Sequence, residues 1–529
     1  MATLWINKTG IFICASIVPA SLLWGTRSGL PCDTHERSSA LSTSRKIAIL
    51  TPLVLFVHGF HPLAEDGGLY VAGIKWLLHP GLFPHDSAFV TEHLRFSLFA
   101  PFVAGIVRTL HIPLLWALFG LYLLTTALTL YATHEILRRC GFTPIAQLYG
   151  TAMLAAWWAI PVAGTSLMLM DPYLTGRSFS TPLGLLAVGW SLERTHRAWI
   201  LSLAAILLAA AFHPLMAVYA LGLVLSIRIV QTGRPWWGWA ALLGSSAIAA
   251  LLLQLHAQPA TPALRLAVYS RYYWFLSQWQ WFELLGLLGP LVVLGLLLRK
   301  QSEPVSELLR GTIALDLIAI LITVCFAHER YSSFPVAMFQ PLRVFLLTYA
   351  LMLALLGSRL ANIAERQQRL WPVVFLLCCM AGAHQIARAT FPSSSQVEWP
   401  WHEAATPNPW VQAFLWARHN TAPDTLFALD AKYVNTDGED AQTFRAIAER
   451  STLADFSKDG GEAAITPALA DRWLRESAAQ KNLSKLDEAT RTARLAPFPV
   501  TWMVLHAEAA TDEPCPYRNL VVKVCRLHR

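Results

Sequence analysis

Two short acidic clusters lie between long apolar runs: Glu65-Asp66 and, nineteen residues on, His85-Asp86. Carboxylates beside a bilayer are expensive to desolvate, so charge placed there marks an active site, an ion pathway or a binding site by default. A carboxylate of suitable pKa can take the proton from a hydroxyl nucleophile, and a neighbouring acid tunes it by like-charge repulsion. Asp66 is the first candidate for such a base, with Glu65 and Asp86 in support and His85 as a substrate contact. Adjacent carboxylates also offer the hard oxygens that Mg or Mn prefer. Two sequential acids do not define a metal site, so the metal is left unassigned. Plainer roles exist for the same residues. An acidic pair followed by two glycines is an ordinary helix start, and Pro84-His-Asp-Ser reads as a turn with a helix N-cap.

Composition fixes the setting. Of 529 residues 55% are hydrophobic and 14% charged, and mean hydropathy is +0.44. That describes a polytopic membrane protein and excludes a soluble chain of this length. Up to residue 388 there are 26 Lys/Arg against 15 Asp/Glu, and from 389 to 529 there are 15 against 18. Basic loops that orient a membrane domain account for the net +8 without nucleic acid.

Apolar runs predict eleven spans, near 47–61, 113–137, 144–168, 181–195, 198–212, 214–230, 236–255, 281–298, 311–327, 342–358 and 371–388. Arg138-Arg139, Arg194 with Arg197, Arg228 with Arg234, Arg299-Lys300 with Arg310, and Arg359 with Arg366 and Arg369 then share the cytoplasmic side. Segments 61–112, 169–180, 256–280, 328–341 and everything after 388 fall outside. Residues 96–110 are apolar enough to span, but counting them would invert all five basic loops, so they are expected as a helix in or dipping into the outer interface. A second surface helix is expected over 66–78. Residues 1–46 read as a signal-like segment, an extra span or an upstream extension.

The outer segments supply cations and aromatics. Asp171-Pro-Tyr173-Leu-Thr-Gly-Arg177, Arg271-Tyr272-Tyr273-Trp274, Arg330 and Arg343 are candidate contacts for a substrate or a phosphate, which an Arg fork grips bidentately. Interfacial Tyr and Trp anchors and snorkelling Arg give the plainer reading. His213-Pro214 reads as the tip of a short hairpin that floors a cavity, or as a kink. Asp316, inside a span, is expected to face the bundle and pair with an Arg.

Residues 389–529 read as a small extracytoplasmic α/β domain opened by Trp399, Trp401 and Trp410. Helices are expected over 409–419 and 440–449, and strands over 425–430, 500–506 and 519–525. Phe444-Arg445 and Arg450-Ser451 followed by Lys458-Asp459-Gly460-Gly461 read as a loop at a strand end that could bind a ligand, or more simply as a solvated helix face. Of eight cysteines, Cys515 and Cys525 flank a Pro-Tyr turn on the outer side and are expected to form a disulfide. There is no CxxC, P-loop, GxGxxG, nucleophile elbow or internal repeat.

One span, a long acidic outer loop with two interfacial helices, many further spans and an outer C-terminal domain: this order resembles the glycosyltransferase C (GT-C) superfamily. The motif residues are His61-Pro62-Leu63-Ala64-Glu65-Asp66-Gly67-Gly68-Leu69-Tyr70 and Phe83-Pro84-His85-Asp86. The chain is also similar to uncharacterised bacterial membrane proteins with an analogous acidic loop. The resemblance implies an all-α multi-span fold and an inverting transfer of sugar from a polyprenyl-phosphate carrier to an acceptor at the outer face of the inner (plasma) membrane. The alternatives are a transporter or flippase of lipid-linked sugars, and a noncatalytic membrane assembly protein.

Overall fold

The computed structural model describes residues 42–529 except Arg234, Lys300, Gln368, Arg369, residues 402–404, Asp437 and Arg529. Nearly all of the expectation for residues 1–46 therefore lies outside the described residues; the helix Thr43–His58 begins there.

The chain is a mostly helical, multi-pass membrane protein. Among the described residues seven helices are long and apolar enough to cross a membrane: Leu114–Arg139, Pro214–Gln231, Trp236–His256, Trp281–Leu298, Val305–Phe326, Pro335–Ala361 and Leu370–Thr390. Four further helices answer to expected spans but are shorter, Thr43–His58, Pro144–Ala156, Gly176–Ser191 and His196–Phe212. The expected span 144–168 is helical only to Ala156. Beyond it β1 (Pro161–Val162) and β2 (Leu167–Met168) form an antiparallel hairpin. Pro161 disfavours helix in the residue before it, and Gly164 turns at φ +66°, where a Cβ would sit 2.3 Å from the Trp279 ring.

The stretch Ser87–Phe96 meets the helix Phe99–Leu110 at a bend of 100°, so this apolar segment does not run as one straight rod. Asp316 is fully buried but, among the described residues, pairs with no Arg; both its oxygens accept from Thr348 Oγ1, at 2.8 and 2.9 Å. A hydroxyl from the neighbouring helix satisfies it.

The polar ends of the helices gather into two groups. At one end Arg139 meets Glu193 at 2.8 Å, Arg194 meets Glu303 at 2.9 Å and also Glu307, Gln231 meets Glu307 at 2.8 Å, and Arg359 meets Gln301. These are the basic loops. At the other end Tyr269 and Gln278 meet Glu329, Gln254 meets Ser333, and Arg271 meets the 456–457 backbone.

The C-terminal region folds around a five-stranded sheet of β3 (Leu426–Ala428), β4 (Ser451–Thr452), β5 (Trp502–His506), β6 (Tyr517–Arg518) and β7 (Val522–Arg526), in the order β4-β3-β5-β7-β6. β3 runs parallel to β4 and β5; β7 is antiparallel to β5 and β6. A disulfide joins Cys515 to Cys525. The sheet is not a separate bead. One buried apolar cluster runs from Leu55, Phe60 and Val71 through Phe99 and Tyr122 to Phe414, Phe427, Phe444 and Val504. Backbone joins follow it: Phe60 bridges Val397, and Thr443 N–H donates to the Leu63 carbonyl at 3.1 Å. Trp399 and Trp401 stack with ring centres 4.9 Å apart beside Trp116, as an interfacial collar would, whereas Trp410 is buried in the shared core.

Candidate functional site: an acidic pair under a lysine

The helix Glu65–Leu78 opens on the acidic pair with no side-chain cap, and Glu65 sits at φ +48°. A non-glycine residue there is strained by roughly 1–3 kcal/mol and persists only where its surroundings hold it. The two glycines are the holders. A Cβ on Gly67 would lie 2.9 Å from Tyr173, and one on Gly68 would lie 2.2 Å from Thr443 Oγ1. Only a bare backbone lets the loop Asp171–Thr175 and the C-terminal region close on this helix start from two sides.

Closure brings opposite charges together. Lys458 Nζ lies 2.5 Å from Glu65 and 2.8 Å from Asp66. Arg177, at the first turn of Gly176–Ser191, bonds Asp171 at 2.7 Å and stands 3.7 Å from Asp66. Burial alone would push the Asp66 carboxyl up, but Lys458 and Arg177, with a smaller share from Arg343, outweigh it and hold it well below the usual carboxylate range. Asp171 is pushed up by burial despite Arg177, while Lys458 is held above the ordinary lysine range by Asp66 and Glu65 against its own desolvation. The Asp66 side chain keeps 39% of its exposure, so it remains reachable. Arg343 completes the cationic wall: its guanidinium lies 5.6 Å from the Tyr273 ring, and its Nε is buried without a hydrogen-bond partner.

A second pair stands beside this one. His93 Nδ1 is 3.7 Å from Glu462, both nearly buried. Burial first, then Asp459 and Asp66, push Glu462 up to about 8, and burial pushes His93 down to about 4. At neutral pH the site therefore holds an ionised carboxylate and a protonated one, a combination found where acid and base roles are divided.

The other expected residues are placed differently. Asp86 is fully buried; its Oδ2 pairs with Arg445 and accepts from Thr452 N–H at 3.1 Å, and Arg445 also grips Asp459 at 2.8 Å. It fastens the acidic loop to the sheet and is no free base. His85 donates its backbone N–H to Ser451, and its ring bonds the Asp424 carbonyl at 2.8 Å. Arg271 donates to the carbonyls of Ser457 and Phe456, at 2.7 and 3.1 Å, positioning the Lys458 turn. Tyr272 packs edge-on to Tyr273, and Arg330 is exposed. Tyr173 is buried against Gly67. His213 caps the helix Pro214–Gln231 by accepting from Met216 N–H at 3.3 Å.

Glu462 was not legible as a site residue, and Arg445 and Lys458 gave only the signal of a loop at a strand end, outweighed by the solvated-face reading. The solvated-face reading of 445 and 458 is overturned: Arg445 is 4% exposed and Lys458 reaches the acidic pair.

The ammonium of Lys458 occupies the space between the two carboxylates, and among the described residues no group of three or more His, Cys, Asp or Glu could hold a metal ion.

No family model matches the chain, and no curated protein matches it. Among solved structures it is similar to the oligosaccharyltransferase of Archaeoglobus fulgidus. The form tethered with an acceptor peptide containing the NVT sequon superposes at TM-score 0.45 and 10% identity, over 88% of this chain and 69% of that one. The apo form superposes at TM-score 0.39 and 12% identity, over 88% and 70%.

Proposed function

We propose that this chain is a membrane glycosyltransferase of GT-C type, with its site at the outer face and Asp66 as the base. The supporting observation is the meeting of one reachable, ionised carboxylate with three cations, Lys458, Arg177 and Arg343, at the end of the bundle away from the basic loops. Three cations suit the phosphate of a polyprenyl-phosphate sugar, because fixed positive charge stabilises the departing phosphate oxygen. In the step proposed, Asp66 takes the acceptor O–H proton, the oxygen attacks the anomeric carbon from the opposite face, and the C–O bond to phosphate breaks with its electrons left on the phosphate.

Paired with Lys458, Asp66 is a weak base. Phosphate competing for Lys458 and Arg177 releases it and raises its basicity, so donor binding and base activation are one event. Glu462, neutral at pH 7, stands beside His93 and feels the charge of Asp66. The carrier, the outer orientation and an eleven-span membrane domain bounded at 47–388 belong to this same reading.

The test is transfer of labelled sugar from a panel of polyprenyl-phosphate sugars by purified protein in lipid. The Asp66→Asn variant should fold normally and lose about 10²-fold or more of the rate. Wild-type rates in that variant, or no transfer from any donor, would turn the reading towards a transporter or an assembly protein.

A further inference from the structure

A cavity lies beside the loop that leads into the acidic pair. It has a volume of about 420 Å³ and lies between the end of Thr43–His58, the start of Leu114–Arg139 and residues 395–399 and 405–411, with Pro62 and Leu63 in its wall. Phe56, Leu115 and Trp399 form an apolar side; Glu398, Gln442 and Thr406 form a polar one.

The polar side is incomplete. Gln442 is 1% exposed, and its Nε2 donates to Glu398 and to Ser394, yet its Oε1 is buried with no partner. A buried acceptor left unmade costs about 1–3 kcal/mol, so this oxygen calls for an O–H or N–H donor. Glu398 Oε1 also meets His61 Nδ1 at 3.2 Å, leaving its second oxygen as a further acceptor in the same wall. Glu398 is the only charged residue among the described lining side chains. A phosphate or carboxylate would meet repulsion there, in contrast with the cationic site at Asp66.

We infer that this cavity binds a neutral sugar ring, whose hydroxyls donate to Gln442 and Glu398 while its C–H face lies on Trp399. The volume falls within the range of small-molecule sites, mostly apolar with a few convergent polar groups. Binding here does not depend on transfer chemistry at Asp66, although such a ring would lie a few residues along the loop from that carboxylate.

The experiment is saturation-transfer NMR on the full chain in lipid nanodiscs free of glycoside detergent, with methyl α-glucoside, methyl α-mannoside and methyl α-galactoside as probes. At least one glycoside should give ring-proton signals. Those signals should fall about fivefold or more in Gln442→Leu, which removes the buried acceptor, and in Ser395→Trp, which narrows the cavity at an exposed position outside the hydrogen-bond network. They should persist in Asp66→Asn. No signal from any of the three in wild-type protein, an unchanged signal in Ser395→Trp, or competition by inorganic phosphate would overturn the assignment. Because Asp66→Asn keeps this cavity, loss of transfer and loss of sugar binding are separable.

Discussion

The ionisation of the site is set by three residues that the acidic motif does not contain. Lys458 and Arg177 hold Asp66 ionised, and burial keeps Glu462 protonated at pH 7. An acid whose folded pKa lies above its unfolded value binds a proton that the unfolded chain has released, so stability falls as pH rises from about 4.5 to about 8. Glu462→Gln should flatten that fall and stabilise the protein at pH 8, by an amount on the order of 1–3 kcal/mol, read as melting temperature against pH in lipid. An unchanged slope would show that Glu462 titrates normally. Arg343 carries a different expectation, because its buried Nε has no hydrogen-bond partner among the described residues. If it grips the donor phosphate, Arg343→Ala should weaken donor binding by about 10-fold or more, with Arg343→Lys recovering part of it as a point charge. Equal donor affinity in both variants would remove Arg343 from the site.

The helix that opens on the acidic pair is held down by an element from the far end of the chain. The turn and helix Lys458–Ile465 place Nζ between two carboxylates, while Arg271 fixes the preceding carbonyls. Lys458→Met removes the ammonium and keeps most of the side-chain bulk. With less opposing charge, Asp66 should rise towards the ordinary carboxylate range, and the acid limb of the pH–rate profile should move to higher pH. A limb that stays in place would mean that Lys458 does not tune Asp66. This element also shows where sequence reasoning stopped. The acidic pair, the helix after it and the strands near 426, 502 and 522 were legible because local pattern determines them: apolar spacing, breakers and β-rich runs. Lys458 and Arg445 were read mainly as a solvated face, because each takes its meaning from a carboxylate 359 to 392 residues away in the chain. Asp86 was misplaced for the same reason. A Pro-His-Asp turn looks alike whether its carboxylate faces substrate or a buried guanidinium. The 144–168 run failed differently, since composition supplied enough apolar residues for a span while Pro161 and Gly164 turned the backbone into a hairpin.

The whole molecule sorts its charge by end. Four basic loops interlock through Glu193, Glu303 and Glu307 at one end and the fifth joins them through Arg359 and Gln301, while the acidic pair and the sheet share the other end through a continuous apolar core. Lys and Arg collect in cytoplasmic loops, so the interlocked end should face the cytoplasm and the Asp66 end should face outward. A carrier that presents its sugar on the outer leaflet can reach Asp66 only in that orientation. Two exposed residues report it, Arg330 at the Asp66 end and Arg197 beside the Arg194 cluster. In a background where Cys515 and Cys525 keep their disulfide and the other cysteines are serine, a membrane-impermeant maleimide added to intact cells should label Arg330→Cys and leave Arg197→Cys untouched until the membrane is opened. The reverse pattern would put Asp66, Lys458 and the sheet inside, in a reducing compartment where the disulfide would not persist. Transfer at the outer face would then be physically impossible for this chain, and the cations around Asp66 would have to serve a cytoplasmic phosphate instead.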